Sequence, residues 1–141
     1  MKVEIVKDMP VGMSNSKAEK VYKVIKDLYE SDNTCIKVTD EEHEFKSVTA
    51  LRNLLNEQGK NYSEYVLRSH GIRKFQLSRY GVAYRLTAFS VRKENCKGNI
   101  YVKVDRYTEE EINDLRRKLE EAQKRVAERI AMREKQRTVK E

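Results

Sequence analysis

Apolar positions along the chain follow two rhythms, one of three to four residues and one of two. From Ala18 to Tyr29 they recur every three or four residues, as Ala18, Val21, Tyr22, Ile25, Leu28 and Tyr29, while Lys20, Lys23, Lys26 and Asp27 occupy the other positions. That spacing predicts an amphipathic helix of about four turns. Ser16 precedes Glu19 by three, the reciprocal capping pattern that opens a helix, and Ser31, Asp32 and Asn33 close it. On either side, Lys2 to Val6 and Cys35 to Val38 alternate in twos and read as short strands. The chain therefore opens with a strand-helix-strand unit.

A helical rhythm resumes at Val48, Leu51, Leu54 and Leu55, with Ser47 placed to cap it. Gly59 marks an expected end and Asn61 an expected start, so a second, shorter helix carries Tyr65 and Val66 to Gly71. Two helices joined at Gly59-Lys60-Asn61 make a helix pair of the helix-turn-helix type. Beyond Gly71 the period becomes two. Arg73, Phe75 and Leu77 alternate with Lys74 and Gln76, Ser78 to Gly81 reads as a turn, and Val82, Tyr84, Leu86 and Ala88 line a return strand. The phase then shifts to Phe89 and Val91, as at a bulge. Ile100, Val102 and Val104 complete a three-stranded antiparallel meander.

The last rhythm is helical again. Thr108 and Glu111 form a second capping box, and Ile112, Leu115, Leu119, Ala122 and Val126 follow seam spacing until Arg129 interrupts it. This long charged helix is expected to pack on the domain or to pair with a second copy, making a homo-oligomer. The predicted fold is α+β, with residues 1–107 a compact domain and 108–141 the C-terminal helix.

Composition narrows the function classes. The chain has 141 residues, of which 38% are hydrophobic and 38% charged, enough for a modest core under a charged surface. No apolar run approaches the roughly 18 residues of a membrane span, and the first residues lack a signal-peptide core, so a cytoplasmic protein without membrane contact is expected. Cys35 and Cys96 are expected to be reduced thiols. Together with His43 and His70 they lack metal-ligand spacing. No Gly-rich phosphate loop or nucleophile motif is present, and no cofactor or catalytic residue is expected. Asp40, Glu41, Glu42 and Glu44 form an acidic stretch, read as a solvated turn or as a surface for a protein partner.

The net charge of +7 is unevenly placed: residues 1–57 carry −2, 58–107 carry +8 and 108–141 carry +1. One basic segment between neutral or acidic flanks is the pattern of a surface that meets a polyanion. The candidate residues are Lys60, Asn61, Tyr62 and Ser63 at the expected helix start, Arg68 along that helix, and Arg73, Lys74, Arg79 and Arg85 on the expected hairpin. Free backbone N–H groups at a helix start would add to an anion site. Tyr101 and Lys103 share the outer face of the last strand, where a ring beside cations can stack on bases.

The expected function is non-enzymatic binding of nucleic acid, with duplex DNA the expected partner of the helix-hairpin surface. Two alternatives stand beside it. One is a small inhibitor or adaptor of the kind mobile elements use to block a nucleic-acid-handling enzyme, acting through the acidic stretch or the C-terminal helix. The other is a module that sequesters anionic nucleotides.

Overall fold

A computed structural model describes residues 15–41, 43–94 and 98–139. The elements, in chain order, are α1 (Asn15–Glu30), β1 (Cys35–Thr39), α2 (Val48–Ser69), α3 (Lys74–Arg79), β2 (Phe89–Lys93), β3 (Asn99–Val104) and α4 (Glu109–Val139). The fold is α+β and, among the described residues, has four helices, the last of them long, and one three-stranded antiparallel sheet in the order β1-β3-β2. Among the described residues no helix is long and apolar enough to cross a membrane. The expected strand Lys2 to Val6 lies outside the described residues, as do Glu42 and Cys96.

The chain divides into two compact units, residues 1–62 with 89–105 and residues 63–88 with 106–141. The division falls within α2, between Tyr62 and Ser63.

In the first unit, Ile100, Val102 and Val104 of β3 are buried, as the alternation required. In β2, Phe89 is buried and Val91 half-buried; Ile36 and Val38 of β1 are half-buried too. The register sets Ile36 and Val91 on either side of Val102, so one face of the sheet is apolar. Val21, Ile25 and Leu28 of α1 and Leu51 and Leu55 of α2 supply the rest of the core. Tyr22, Tyr29, Tyr62 and Phe89 form an aromatic cluster, with Tyr62 edge-on to Tyr22 at 5.7 Å, to Tyr29 at 5.3 Å and to Phe89 at 6.3 Å. Each such pair adds about 0.5–1.5 kcal/mol beyond the area it buries.

That cluster explains the first correction to the sequence reading. Gly59 does not end a helix; α2 runs through it for 22 residues. A Cβ at Gly59 would lie 3.4 Å from Phe89 Cβ. The glycine permits close approach of a ring to the helix backbone and supplies no left-handed turn. Lys60 to Ser63 are therefore interior helical residues, their N–H groups already used by the helix, and no anion site exists at a helix start there.

The second unit contains the other correction. Arg73 to Leu77, expected as a strand, lies at α3, and Val82 to Ala88 form no return strand. The glycine read as a hairpin turn ends a helix instead. Gly81 has φ of 67°, its N–H donates to Ser78 O at 3.2 Å, and Val82 N–H donates to Leu77 O at 2.8 Å. This is the paired bonding of a Schellman helix end. The same pattern ends α2, where Gly71 N–H donates to Arg68 O and Ile72 N–H to Leu67 O, both at 3.0 Å. The three-stranded sheet is thus completed by β1 from the opening unit. Leu77, Ile72, Leu67, Ile112, Leu115 and Leu119 are buried in this second unit.

Two of the helix starts read from the sequence are formed, those at Ser47 and Thr108; the one at Asn61 is not, because α2 runs through it, and the side chain of Ser16 lies outside the described residues. Ser47 Oγ accepts from Ala50 N–H at 3.0 Å, and Thr108 Oγ1 accepts from Glu111 N–H at 3.1 Å. Beyond Leu119 the stripe of α4 emerges into solvent, with Val126, Ile130 and Met132 all exposed.

Candidate nucleic-acid interface

Strand alternation sends every second side chain of the sheet away from the core. On this outer face β3 carries Asn99, Tyr101 and Lys103, β1 carries Cys35, Lys37 and Thr39, and β2 carries Ser90 and Arg92. Lys37 is opposite Tyr101 on one side and Arg92 is opposite it on the other. A ring flanked by two cations therefore spans the sheet in one row, with a Cα separation across it of about 10 Å from the ordinary strand spacing. In the adjoining row Lys103 lies between Cys35 and Ser90.

The row is open. Tyr101 is 40% exposed, and Lys37, Arg92 and Lys103 are exposed. None of these three cations has an ion-pair partner among the described residues. Tyr101 Oη donates to Glu94 Oε2 at 3.4 Å. The negative charge of Glu94, more than burial, raises the phenol above its ordinary value, so the group remains a neutral ring that donates to the carboxylate.

The other sequence candidates separate into four groups. Tyr62 and Ser63 are buried. Tyr62 belongs to the aromatic cluster, and Ser63 Oγ accepts from Ala88 N–H at 2.9 Å, so both serve the interior. Lys60 and Asn61 are exposed on the middle of α2, where Asn61 Nδ2 donates to Gln58 Oε1 at 3.4 Å.

Arg85 is also engaged. Its Nε and one terminal nitrogen donate to the two carboxylate oxygens of Glu111 at 2.9 and 2.8 Å, and its guanidinium lies 4.7 Å from the Tyr107 ring centre. Tyr107 Oη donates to Arg85 O at 3.0 Å. The hydrogen bonds from Arg85 hold the Glu111 carboxyl below its ordinary range, assisted by the charge of Arg85 and the backbone of Thr108. Arg79 lies over the ring of Tyr80 at 5.8 Å.

Arg68, Arg73 and Lys74 do come together. With Glu64 and Phe75 they line a depression of about 330 Å³ in the second unit.

Two members of the acidic stretch, Asp40 and Glu44, have partners in the first unit. Asp40 accepts from Glu44 N–H and Phe45 N–H, both at 2.9 Å, and Glu44 pairs with Lys20 at 3.2 Å. Glu41 is exposed. Among the described residues, no group of three His, Cys, Asp or Glu side chains is placed to hold a metal ion.

Lys37 and Arg92 are the members of the sheet row that sequence reasoning missed. Their outward direction was legible from Ile36, Val38 and Val91, but their position beside Tyr101 depends on a strand pairing between distant segments. No family model, curated protein or solved structure matches the chain.

Proposed function

We propose that this protein binds single-stranded nucleic acid, without catalysing a reaction on it, through the outer face of its three-stranded sheet. One observation carries the reading: Tyr101 is 40% exposed and flanked in register by Lys37 and Arg92, which have no ion-pair partner among the described residues, with Lys103 on the same face. Base stacking on an exposed aromatic ring is favourable for every base and worth about 1–3 kcal/mol. Cations beside the ring meet the phosphates on either side, which adds affinity without sequence preference.

A duplex fits this face poorly, because its bases are already stacked and present only their edges. The expected duplex surface rested on a helix start at Lys60 and a hairpin from Arg73 to Ala88. Lys60 is inside α2, and the second segment contains α3.

The test is a titration of labelled oligonucleotides of one sequence, as single-stranded DNA, single-stranded RNA and duplex DNA, at several salt concentrations. Single strands are expected to bind more tightly than the duplex. With three cations engaged, log K for the single strand should fall with log salt at a slope of about −2. Absence of binding at low salt, or preference for the duplex, would overturn the proposal.

A further inference from the structure

The depression formed by Glu64, Arg68, Arg73, Lys74 and Phe75 plays no part in the sheet face, yet its chemistry is specific. Glu64 and Arg68 are four apart on α2 and therefore share a helix face. The Schellman end at Gly71 reverses the chain, so Arg73, Lys74 and Phe75 line the same depression. Ile72 and Leu77, 1% and 0% exposed, anchor the two ends of this short segment. Phe75 and Leu77 are two residues apart, which on a helix puts them on opposite sides. With Leu77 inside, Phe75 is 58% exposed.

An exposed phenylalanine among cations costs hydration without gaining a partner. Phe75 has no ring contact among the described residues, and Arg68, Arg73 and Lys74 have no ion-pair partner there. Three cations against the one carboxylate of Glu64 leave a charge of +2 around the depression. A phosphodiester carries a single negative charge, whereas a phosphate monoester carries about −1.5 to −2 at neutral pH. The charge therefore matches a terminal phosphate better than the interior of a strand. Two guanidinium groups can each meet two phosphate oxygens, while Lys74 adds a point charge. The Phe75 ring offers a stacking face for a base. The Glu64 carboxylate can accept a hydrogen bond from a sugar hydroxyl or a base amino group.

We infer that this depression binds a nucleotide bearing a phosphate monoester, with Arg68, Arg73 and Lys74 on the phosphate and Phe75 on the base. Its volume of about 330 Å³ is within the range of small-molecule sites. The ligand is either a free nucleoside monophosphate or the phosphorylated end of a strand. The inference does not depend on the sheet face, and its test separates the two.

The full-length protein is titrated calorimetrically with adenosine monophosphate, adenosine and inorganic phosphate. The monophosphate is expected to bind more tightly than either fragment. Phe75→Leu should weaken it about tenfold while leaving inorganic phosphate unchanged, and Arg68→Gln with Arg73→Gln should weaken both. Circular dichroism melting confirms folding of each variant, and Lys74→Gln replaces the double variant if that does not fold.

In a Tyr101→Ala background, which removes the sheet ring, a short strand with a 5′-phosphate is compared with its 5′-hydroxyl form. Tighter binding of the phosphorylated strand, lost in the arginine variant, identifies a strand end as ligand. Equal binding of the strands with retained monophosphate binding identifies the free nucleotide. The inference is overturned if the monophosphate binds no better than inorganic phosphate, or if Phe75→Leu binds it as well as the native chain does.

Discussion

Arg92 and Arg85 lie seven residues apart in the same basic segment, and their surroundings have opposite consequences. Arg92 stands on the outer face of the sheet beside Tyr101, with no carboxylate partner among the described residues. Arg85 is gripped by both oxygens of Glu111 and stacked on Tyr107. A cation of the first kind has its charge available for a polyanion. One of the second kind exchanges that availability for a bidentate, charge-assisted contact within the second unit. The +8 segment charge therefore overstates what a ligand meets, and the useful number is the count of cations without partners on one surface.

The strongest way to break this contrast is to remove the unpaired cations. Lys37→Ala with Arg92→Ala and Lys103→Ala should lower single-strand affinity by roughly two orders of magnitude at low salt and make the salt slope shallower by about two. The melting temperature should stay close to that of the native chain, since exposed side chains of this kind contribute within about 0.5 kcal/mol. Fluorescence anisotropy and thermal melting measure the two sides. An unchanged affinity would relocate the interface.

Arg85→Ala should behave in the opposite way. It leaves the Glu111 carboxylate without its bidentate partner and uncovers the Tyr107 ring, for an expected loss of about 1–2 kcal/mol in stability. Chemical denaturation should register that loss, while binding to single strands stays unchanged.

The same pair predicts a pH effect of smaller size. Arg85 holds the Glu111 carboxyl below its ordinary value of 4.5. A group depressed on folding contributes stability above its unfolded value and loses it as pH falls through the folded one. The melting-temperature difference between the native chain and Glu111→Gln should therefore be full near neutrality and close progressively below pH 4.5. Asp114, also held low by hydrogen bonds from Arg117 and Lys118, is present in both proteins and cancels. A difference that persists unchanged through acid would remove the ion pair from the account.

Smallest of all should be the effect of deleting residues 131–141. Met132 is 66% exposed, and the side chains described from 131 to 136 are all exposed. The melting temperature should move by no more than about 2 °C. A larger fall would mean that the end of α4 carries an interface with a second copy.

Where one face of an element is unambiguously apolar, its course was legible in the sequence. Ile100, Val102 and Val104 required a strand with Tyr101 and Lys103 outward, and Val21, Ile25 and Leu28 required α1. Ser47 and Thr108 marked two helix starts because a side-chain oxygen there must meet an otherwise unpaired N–H. Arg73, Phe75 and Leu77 misled because alternation over so few residues also fits one short helix with Leu77 inside. Gly81 added to this, since a positive φ serves a Schellman end as well as a hairpin turn. Gly59 required knowledge of Phe89, 30 positions away. The row of Lys37, Tyr101 and Arg92 was half legible: each outward direction could be read locally, but the pairing of β1 and β2 with β3 is a long-range choice. Arg85 appeared available because its partner, Glu111, lies on α4.

Stacking of the Tyr101 ring on an unpaired base is separated from simple apolar contact by the single-strand affinity of Tyr101→Phe and Tyr101→Leu. Phenylalanine keeps the ring and removes only the long hydrogen bond to Glu94, whereas leucine keeps apolar bulk without a π face. Native affinity is expected for Tyr101→Phe, about tenfold weaker binding for Tyr101→Leu, and one common salt slope for all three proteins. Equal affinity of the leucine and phenylalanine variants would contradict stacking.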